Sequence, residues 1–329
     1  MTNEFFLSLL IPFICLPILV YHKEIANITG LIDYPDHRKT HNKPIPKIGG
    51  IFFLSCSTIF ILIQSSNFNE RLIFSFLILT FGFFFIGLVD DKIKIKASAR
   101  LLLQFVVITL SINIDFNLNI ENLSVGLLDA NIKIYQGSIL FSIFCIISLT
   151  NAINLLDGKD GLAVSVFLIY LIIIYLTNPG PISIFYPILI ISSILFLIYN
   201  IRGKLFLGNS GAYLIGGIIS FITIQNYNNS NYPIEIIFLM FYLYGLDMLR
   251  VYLERLFRGK HPFTAENNHL HHYIYSFSKN KFVNLVIYIL LLYIPITIHY
   301  FYKNYYILLI LTSLIYLGSL FFFKKFEKK

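Results

Sequence analysis

The chain has 329 residues, of which 57% are hydrophobic and 13% charged, and its formal net charge is +8. Soluble domains carry roughly a quarter charged residues, so this composition excludes an ordinary soluble globular protein. Apolar runs recur along the chain, and a run of about 20 residues is typical of a helix that spans the bilayer. The sequence therefore predicts an all-α polytopic membrane protein.

Eleven apolar runs are long enough to be interpreted as transmembrane helices. In chain order they cover residues 4–21, 48–64, 71–89, 100–114, 137–153, 162–177, 181–199, 211–225, 233–250, 283–300 and 305–323. The first run is not expected to be a cleaved signal, because no Lys or Arg precedes it and its end is a poor cleavage site. No repeat or low-complexity linker divides the chain, so residues 1–329 are predicted to form a single integral-membrane domain.

The basic residues predict the orientation of the chain. If the loops alternate between the two sides, all but three of the 25 Lys and Arg residues fall on the side of the odd-numbered loops and the C-terminal tail. The positive-inside rule then places the N-terminus outside and the C-terminus in the cytoplasm. The outside loop, residues 115–137, begins with alternating apolar and polar residues, so we expect a short periplasmic β-hairpin there.

The predicted cytoplasmic side carries five polar clusters. The first is "GLVDDKIKIKASARLLLQ", in which Asp90 and Asp91 end the third helix. Adjacent carboxylates repel each other and favour a cation or basic groups nearby. Two interpretations stay open, namely solvated acids paired with Lys92 and Lys94, or a site that binds a divalent metal or handles a proton.

The second cluster, "NAINLLDGKDGLA", places Asp157 and Asp160 directly after apolar residues. If the segment is helical, Asn151, Asn154 and Asp157 share one face. Acids at the end of a spanning helix face the bundle interior or a wet cavity, because lipid exposure costs about 2.5 to 3.5 kcal/mol at depth. A functional site is therefore favoured over a glycine-rich loop capped by an aspartate.

Three further clusters are suited to anions. In "NIRGKLFLGNSGAYLIGG", residues 200–217, glycines allow backbone N–H groups to approach a phosphate at a helix N-terminus, although glycines also serve helix packing. In "RLFRGKHPFTAENNHLHHY", residues 255–273, the histidine spacing disfavours zinc and favours phosphate binding or proton transfer. The basic stretch "DYPDHRKTHNKPIPKIGG", residues 33–50, suits either lipid headgroups or a polyphosphate.

Jointly, these motifs resemble the polyprenyl-phosphate N-acetylhexosamine-1-phosphate transferases of glycosyltransferase family 4; the phospho-N-acetylmuramoyl-pentapeptide transferases share the core. The motifs that carry the resemblance are "DYPDHRKTHNKPIPKIGG", "LVDD" with "ARLLLQ", "NAINLLDGKDGLA", "FLGNSG" and "GKHPFTAENNHLHH". The resemblance implies transfer of a HexNAc-1-phosphate, from UDP-GlcNAc or a related UDP-N-acetylhexosamine, to undecaprenyl phosphate. The histidine segment resembles the hexosamine enzymes, so UDP-muramoyl-pentapeptide is disfavoured as the donor.

The resemblance also implies roles for individual residues. The implied catalytic residues are Asp90, Asp91, Asp157, Asp160, His269, His271 and His272. The implied substrate-binding residues are Lys39, Lys43, Asn154, Asn200, Phe206, at the position of a uracil-contacting aromatic, and Gly208. The implied ligands of Mg²⁺, or of Mn²⁺ in its place, are Asp90, Asp91, Asp157, Asp160 and Asn209.

Asn209 departs from the family pattern, which has an aspartate implicated in magnesium binding at this position. An amide oxygen keeps a ligand for a hard cation but removes one negative charge. Because the other motifs are intact, we expect a retuned metal site. A catalytically impaired scaffold of a glycan-assembly complex is the alternative that Asn209 raises.

The resemblance implies a bacterial inner-membrane enzyme whose active site faces the cytoplasm and which initiates an O-antigen, lipopolysaccharide or teichoic-type polymer. Its partners would be a UDP-N-acetylhexosamine, undecaprenyl phosphate and the lipid bilayer, with no nucleic acid, and a homodimer stays open. An ion-coupled transporter is the competing function of a different class. Transporters spread acids and bases through the depth of the bilayer, whereas here they cluster at one face.

Overall fold

The computed structural model describes residues 3–35, 42–158, 160–177, 180, 182–230, 233–260 and 268–326. Helices dominate these residues, and the strands among them form two small two-stranded sheets. The chain divides into two compact units, one of residues 1–120 and 137–230 and the other of residues 121–136 and 231–329. The interpretation of residues 1–329 as one domain stays a prediction.

The first apolar run is broken into four short helices. They are α1 (Asn3–Ser8), α2 (Ile11–Ile14), α3 (Leu16–Val20) and α4 (His22–Thr29). Pro12 and Pro17 lie in the first turns of α2 and α3, where a missing N–H is tolerated. Because proline cannot donate to the carbonyl four residues earlier, each of them removes a hydrogen bond that would continue the preceding helix.

The rest of the first unit consists of a small sheet and seven longer helices. Its elements are β1 (Ile32–Asp33), β2 (Ile45–Pro46), α5 (Gly49–Gln64), α6 (Glu70–Ile93), α7 (Ala97–Ile114), α8 (Ser138–Leu156), α9 (Leu162–Thr177), α10 (Tyr186–Asn200) and α11 (Gly208–Ser230). Helix α11 is buried from residue 210 to residue 227 and packs against α5, α6 and α8. It is therefore the central helix of this unit.

Glycines let the first turn of α11 lie close to its neighbours. A Cβ added to Gly87 of α6 would come within 2.4 Å of the Asn209 carbonyl oxygen, and one added to Gly50 of α5 would come within 2.6 Å of Ser210 Oγ. Small residues allow such close approach of membrane helices. Gly50 and Gly87 thus determine where the start of α11 lies, and the polar residues of the first unit gather there.

The second unit consists of a hairpin and four helices. Its elements are β3 (Asn122–Val125), β4 (Ala130–Lys133), α12 (Ile234–Phe257), α13 (Leu270–Phe277), α14 (Lys281–Tyr302) and α15 (Tyr305–Lys324). Strands β3 and β4 pair antiparallel, which confirms the predicted hairpin. The Glu235 carboxylate accepts hydrogen bonds from the N–H groups of Gly126 and Leu127 at 3.0 and 2.9 Å, so it ties the hairpin turn to α12.

Each of the eleven apolar runs is helical over most of its described length, which confirms an all-α polytopic membrane protein. Within the described residues, eight helices are long and apolar enough to cross a membrane. The number is nine if the bent pair Phe6–Val20 and His22–Thr29, which turns by 69°, counts as one span. The number eleven and the orientation of the chain stay predictions.

Candidate active site

The acidic residues of the first unit come from two helix ends. Asp90 and Asp91 lie in the last turn of α6, Asp157 is the C-cap of α8, and Asp160 lies in the turn that follows. The sequence left open whether the segment is helical, with one shared face, as far as Asp157, and α8 ends at residue 156 with Asp157 as its C-cap. The Asn151 side chain, predicted to share that face, instead donates to Gln104 Oε1 at 2.9 Å.

Backbone N–H groups at the start of α11 bind two of these carboxylates. The N–H of Ser210 donates to Asp91 Oδ2 at 3.0 Å, and the N–H of Gly208 donates to Asp157. A helix N-terminus favours negative charge because its first N–H groups lack helical partners and the helix dipole is positive there. The sequence suggested that this glycine loop holds a phosphate, whereas protein carboxylates occupy these N–H groups in the structure.

Gly208 makes this close approach feasible. Its φ of +75° lies in the left-handed region, and an added Cβ would stand 3.0 Å from Asp91 Oδ2 and 3.2 Å from Lys47 Cβ. An L side chain is disfavoured in that region. Any other residue at position 208 would therefore strain the backbone and crowd Asp91 at the same time.

Lys47 balances part of the negative charge. Its Nζ lies 3.3 Å from Asp91 Oδ1 and 3.5 Å from Asp33 Oδ1. Lys47 follows β2 directly, and the antiparallel pairing of β2 with β1 brings it beside Asp33. Lys47 therefore joins the β1–β2 sheet to the end of α6.

Asp90 is buried and is held by three donors. Its Oδ2 accepts from Arg100 Nη1 at 2.9 Å and from Asn209 Nδ2 at 3.0 Å, and its Oδ1 accepts from the Ile95 N–H at 3.0 Å. An ionised carboxylate only accepts, so the atom of Asn209 that faces it is the amide nitrogen. The Asn209 oxygen accepts from Asn154 Nδ2 at 3.2 Å. Asn209 is thus positioned between Asp90 and Asn154.

Asn200 has a positioning role in this arrangement. Its side chain is buried, its Oδ1 accepts from the Gly161 N–H at 2.8 Å, and its Nδ2 donates to the Leu205 carbonyl at 2.7 Å. The two bonds join the turn after α8 to the loop before α11. Asn200 thereby holds together the two segments that carry Asp160 and Gly208.

The other predicted substrate-binding residues lie on the loops around this region. Phe206 is partly exposed, and its N–H donates to the Pro46 carbonyl at 2.8 Å, so the loop before α11 is bound to β2. Lys43 is exposed. Lys39 lies outside the described residues. Their contacts with a substrate stay predictions.

The carboxylates affect each other electrostatically. Burial raises the pKa of the Asp157 carboxyl well above its usual value, and the nearby charges of Asp91 and Asp160 raise it further. The hydrogen bond from the Gly208 N–H and the charge of Lys47 act in the opposite direction. Asp157 is therefore a carboxylate that would gain from a nearby cation.

A magnesium ion is the cation that the family resemblance implies. Within the part of the chain that the structure describes, no group of three or more His, Cys, Asp or Glu side chains is already arranged around a metal position. Both oxygens of Asp90 and both oxygens of Asp91 accept from protein donors, so either acid would exchange a protein donor for a metal ion. Asp91, Asp157 and Asp160 concentrate unfavourable negative charge, and Mg²⁺ takes oxygen ligands. The predicted ligands of the metal ion stay a prediction.

The three predicted catalytic histidines belong to the second unit, where α13 begins. His269 and His271 are buried, and His272 is partly exposed. The rings of His269 and His271 stack at 5.6 Å with an interplanar angle of 10°, and the rings of His271 and His272 lie 4.2 Å apart. The sequence motif therefore forms one compact group of imidazoles.

A buried carboxylate on α12 holds this histidine group. Asp247 Oδ2 lies 2.9 Å from His269 Nδ1 and accepts from the Leu270 N–H at 3.0 Å. Asp247 Oδ1 accepts from Arg250 Nη2 at 2.8 Å and from the Tyr316 hydroxyl at 3.3 Å. Asp247 is thus bound by groups from α12, α13 and α15.

The comparison with known families identifies the chain. The model described as glycosyl transferase family 4 matches residues 73–227, which run from α6 to α11 and include the four acids and Asn209 of the first unit. Over these residues the chain is similar to glycosyl transferase family 4. The predicted family is thereby confirmed, and so is the prediction that the protein is an enzyme of the phosphotransferase class.

Relatives match far more of the chain than the family model does. A probable undecaprenyl-phosphate N-acetylglucosaminyl 1-phosphate transferase of Bacillus subtilis (strain 168) is 28% identical over 295 residues, covering 87% of this chain and 80% of the relative. A decaprenyl-phosphate N-acetylglucosaminephosphotransferase of Mycobacterium tuberculosis (strain ATCC 25618 / H37Rv) is 25% identical over 299 residues, covering 80% and 74%. A phospho-N-acetylmuramoyl-pentapeptide-transferase of Nautilia profundicola is 27% identical over 316 residues, covering 84% and 87%.

Sequence reasoning missed several residues of this protein. Lys47, Arg100 and Asp33 were seen only as members of charged loops, because nothing local indicates which distant acid each lysine or arginine will meet. Asp247 did carry a signal, since an ionisable residue inside an apolar helix is a functional candidate by default. Its partner His269 is 22 residues away in the chain.

Proposed function

We propose that this protein transfers an N-acetylhexosamine 1-phosphate from a UDP-sugar to undecaprenyl phosphate, giving undecaprenyl-diphosphate-HexNAc and UMP. The observation that supports this most strongly is the position of Asp157, which lies next to Asp91 and Asp160 and binds the start of α11. This arrangement falls within the region that matches the family model. The names of the Bacillus and Mycobacterium relatives specify N-acetylglucosamine phosphate transfer to a polyprenyl phosphate, so UDP-GlcNAc is the first donor to test.

The proposed reaction is a single displacement at phosphorus. An oxygen of the lipid phosphate attacks the β-phosphorus of the UDP-sugar and forms the new diphosphate bond. The bond from the β-phosphorus to the oxygen bridging it to the α-phosphate breaks, and UMP leaves with that oxygen. A phosphate monoester has a second pKa near 6, so most of the lipid phosphate is already dianionic at neutral pH.

Because both reactants are anions, charge control dominates the barrier. A magnesium ion held by Asp91, Asp157 and Asp160 would neutralise charge on the transferred phosphate. Lys47 holds Asp91 in place through its ion pair. Arg100 and Asn209 hold Asp90, and Asn200 holds the turn that carries Asp160.

We propose that the reaction takes place at the cytoplasmic face of a bacterial inner membrane, where it starts a cell-envelope polysaccharide. The predicted orientation places the acids of the first unit at that face. A polyprenyl chain stays in the bilayer while a nucleotide sugar arrives from the cytosol. The reacting phosphates therefore meet at the membrane interface, where the polar helix ends of the first unit would lie.

A donor panel tests the proposed function. Purified protein is incubated with undecaprenyl phosphate, Mg²⁺ or Mn²⁺, and one labelled donor at a time, and the lipid fraction is counted. The donors are UDP-GlcNAc, UDP-GalNAc and UDP-N-acetylmuramoyl-pentapeptide. We expect a labelled lipid from an N-acetylhexosamine donor and none from the pentapeptide. A product only from the pentapeptide would overturn the hexosamine assignment, and no lipid product from any donor would favour the impaired scaffold.

A further inference from the structure

The first unit has a second polar layer, which lies about one helical turn further from the helix ends than its acids. Gln104 follows Arg100 by four residues on α7, and Asn151 precedes Asn154 by three residues on α8. Residues three or four apart lie on the same face of a helix. Each of these two helices thus carries one polar side chain level with the acids and a second one deeper in the helix.

The two layers make different contacts. In the outer layer, Arg100 binds the last turn of α6 and Asn154 binds the first turn of α11. In the deeper layer, Asn151 Nδ2 donates to Gln104 Oε1 at 2.9 Å, so this bond joins α7 directly to α8. The Gln104–Asn151 bond therefore sets the position of α8 along α7, and with it the distance between the two side chains of the outer layer.

Gln104 has an amide that stability alone does not explain. It lies inside a helix that is long and apolar enough to span a membrane, and its exposed fraction is 0%. Its Oε1 accepts from Asn151, but its Nε2 has no hydrogen-bond partner among the described residues. A buried donor loses its hydration without a bond to replace it, which costs free energy. Polar residues inside membrane spans are functional candidates by default.

Gln64 of α5 is a buried glutamine whose amide is fully used within the protein. Its exposed fraction is also 0%, and its Nε2 donates to Ser8 Oγ at 2.7 Å. Its Oε1 accepts from Asn67 Nδ2 at 2.6 Å. Gln64 is the last residue of α5, whereas the first turn of that helix packs against the start of α11. It is therefore a matched reference for a glutamine that serves stability.

We propose that Gln104 is a positioning residue of the transfer reaction, whose bond to Asn151 keeps α7 and α8 in the register that the acid site requires. The inference rests on the proposed function, because turnover is its readout. Without this bond α8 is free to shift along α7, and the outer layer no longer holds α6 and α11 in place together. A misplacement of about 1 Å in a catalytic site costs about 100-fold in rate.

A different role for such a bond is to hold two membrane helices together. In that case removal of the Gln104 amide lowers stability. A positioning role predicts a loss of turnover without a loss of stability, because Gln104→Met removes the unpartnered Nε2 together with the bond. Turnover and stability measured on the same variant therefore distinguish the two roles.

The test compares Gln104→Met with Gln64→Met, the same change at a buried glutamine of the same unit. The measured quantities are kcat, KM for the UDP-sugar and the melting temperature in detergent. For Gln104→Met we expect kcat to fall about 10- to 100-fold, with KM little changed and a melting temperature no lower than that of wild type. For Gln64→Met we expect wild-type kcat and a lower melting temperature, because Ser8 and Asn67 lose their partner.

An exchange of the two amides tests the bond itself. Gln104→Asn shortens the side chain on α7 by one methylene group, and Asn151→Gln lengthens the side chain on α8 by one. Each single variant should lose kcat. The double variant keeps the combined length of the two side chains and should recover most of the loss.

The possible outcomes separate this inference from the proposed function. If wild type is active and Gln104→Met keeps its kcat, the positioning role is overturned. A melting temperature of Gln104→Met as low as that of Gln64→Met overturns it too, since Gln104 then serves helix association. An exchange variant without recovery shows that the bond to Asn151 is not what turnover requires. An inactive wild type overturns the proposed function itself.

Discussion

The amide nitrogen of Asn209 lies 3.0 Å from Oδ2 of Asp90, and that oxygen also accepts a hydrogen bond from Arg100. The family resemblance of the sequence implies an aspartate at the position of Asn209. An aspartate there would place a second negative charge against Asp90 and would lose a hydrogen bond. The surroundings of Asn209 are thus adapted to an amide, which supports a retuned site over an impaired one.

Replacing Asn209 by aspartate tests this retuning. The variant Asn209→Asp adds a carboxylate beside Asp90, and the added charge favours a divalent cation. We expect kcat to be retained at saturating Mg²⁺ and the half-saturating Mg²⁺ concentration to fall. The measurement is a Mg²⁺ titration of lipid product formation. Loss of activity at every Mg²⁺ concentration would show that the amide of Asn209 is required, and it would contradict the claim that Asn209 retunes the metal site.

Asp157 makes opposite contributions to activity and to stability. Folding raises the pKa of its carboxyl, so the native state binds this proton more tightly than the unfolded chain does. The pKa of an aspartate in the unfolded chain is about 4. Between this pH and the higher pKa of native Asp157, a rise in pH lowers the stability of the folded protein, and above the native pKa the loss is complete. We expect Asp157→Asn to abolish turnover and yet to raise the melting temperature at neutral pH in a chelator.

The chain has no tryptophan, so melting is followed by size-exclusion chromatography of heated samples in detergent. The stability gap between Asp157→Asn and wild type should shrink as the pH is lowered, because wild-type Asp157 then becomes neutral as well. Mg²⁺ should also shrink it by binding only the wild-type carboxylate. A variant less stable than wild type at neutral pH would contradict the repulsion among Asp91, Asp157 and Asp160.

Gly208→Ala tests the close approach of α11 to Asp91. Gly208 and Gly30 both have a positive φ, +75° and +72° respectively. A Cβ added to Gly208 would lie 3.0 Å from Asp91 Oδ2, whereas a Cβ added to Gly30 would have no atom within 4 Å. We expect both alanine variants to lose about 1–2 kcal/mol of stability from the left-handed backbone. Only Gly208→Ala should lose kcat, by about 100-fold, because a small displacement of a catalytic group is costly. Equal kcat in the two variants would remove Gly208 from the site.

Lys47→Met tests the charge balance beside Asp91. Without the ammonium group, Asp33 and Asp91 lose their shared partner and the site becomes more negative. We expect KM for the UDP-sugar to rise about tenfold, comparable to a lost charge-assisted hydrogen bond, and the half-saturating Mg²⁺ concentration to fall. Lys47→Arg should retain most activity, and Lys92→Met, at an exposed position, should behave as wild type. An unchanged KM in Lys47→Met would contradict the assigned role.

The sequence predicted the helices well because apolar length is a local property. Ala97–Ile114 and Leu162–Thr177 lie close to the predicted runs. Helix ends were harder, since a single turn decides them: the predicted run ended at residue 153, whereas α8 continues to residue 156 and Asp157 is its C-cap. The β1–β2 sheet was not foreseen, because two-residue strands carry no usable alternation.

The acids of the site were predicted from motifs, but their partners were not. The contacts Lys47–Asp91 and Asn209–Asp90 join residues 44 and 119 positions apart. Such pairs depend on how α6 and α11 pack, which in turn depends on glycines such as Gly87. A sequence pattern indicates that a residue is unusual for its surroundings, while the identity of its partner emerges only from the fold.

The proposed reaction is tested most directly by following the β-phosphorus of UDP-GlcNAc labelled with ³²P at that position. Purified protein, undecaprenyl phosphate and Mg²⁺ are incubated with this donor, and Asp157→Asn serves as the inactive control. Phosphosugar transfer predicts that the label enters the lipid fraction together with the sugar, with unlabelled UMP released and no transfer by the variant. Label that stays in the water-soluble fraction as UDP or free phosphate, while the wild-type protein consumes the donor, would contradict the transfer of a sugar phosphate.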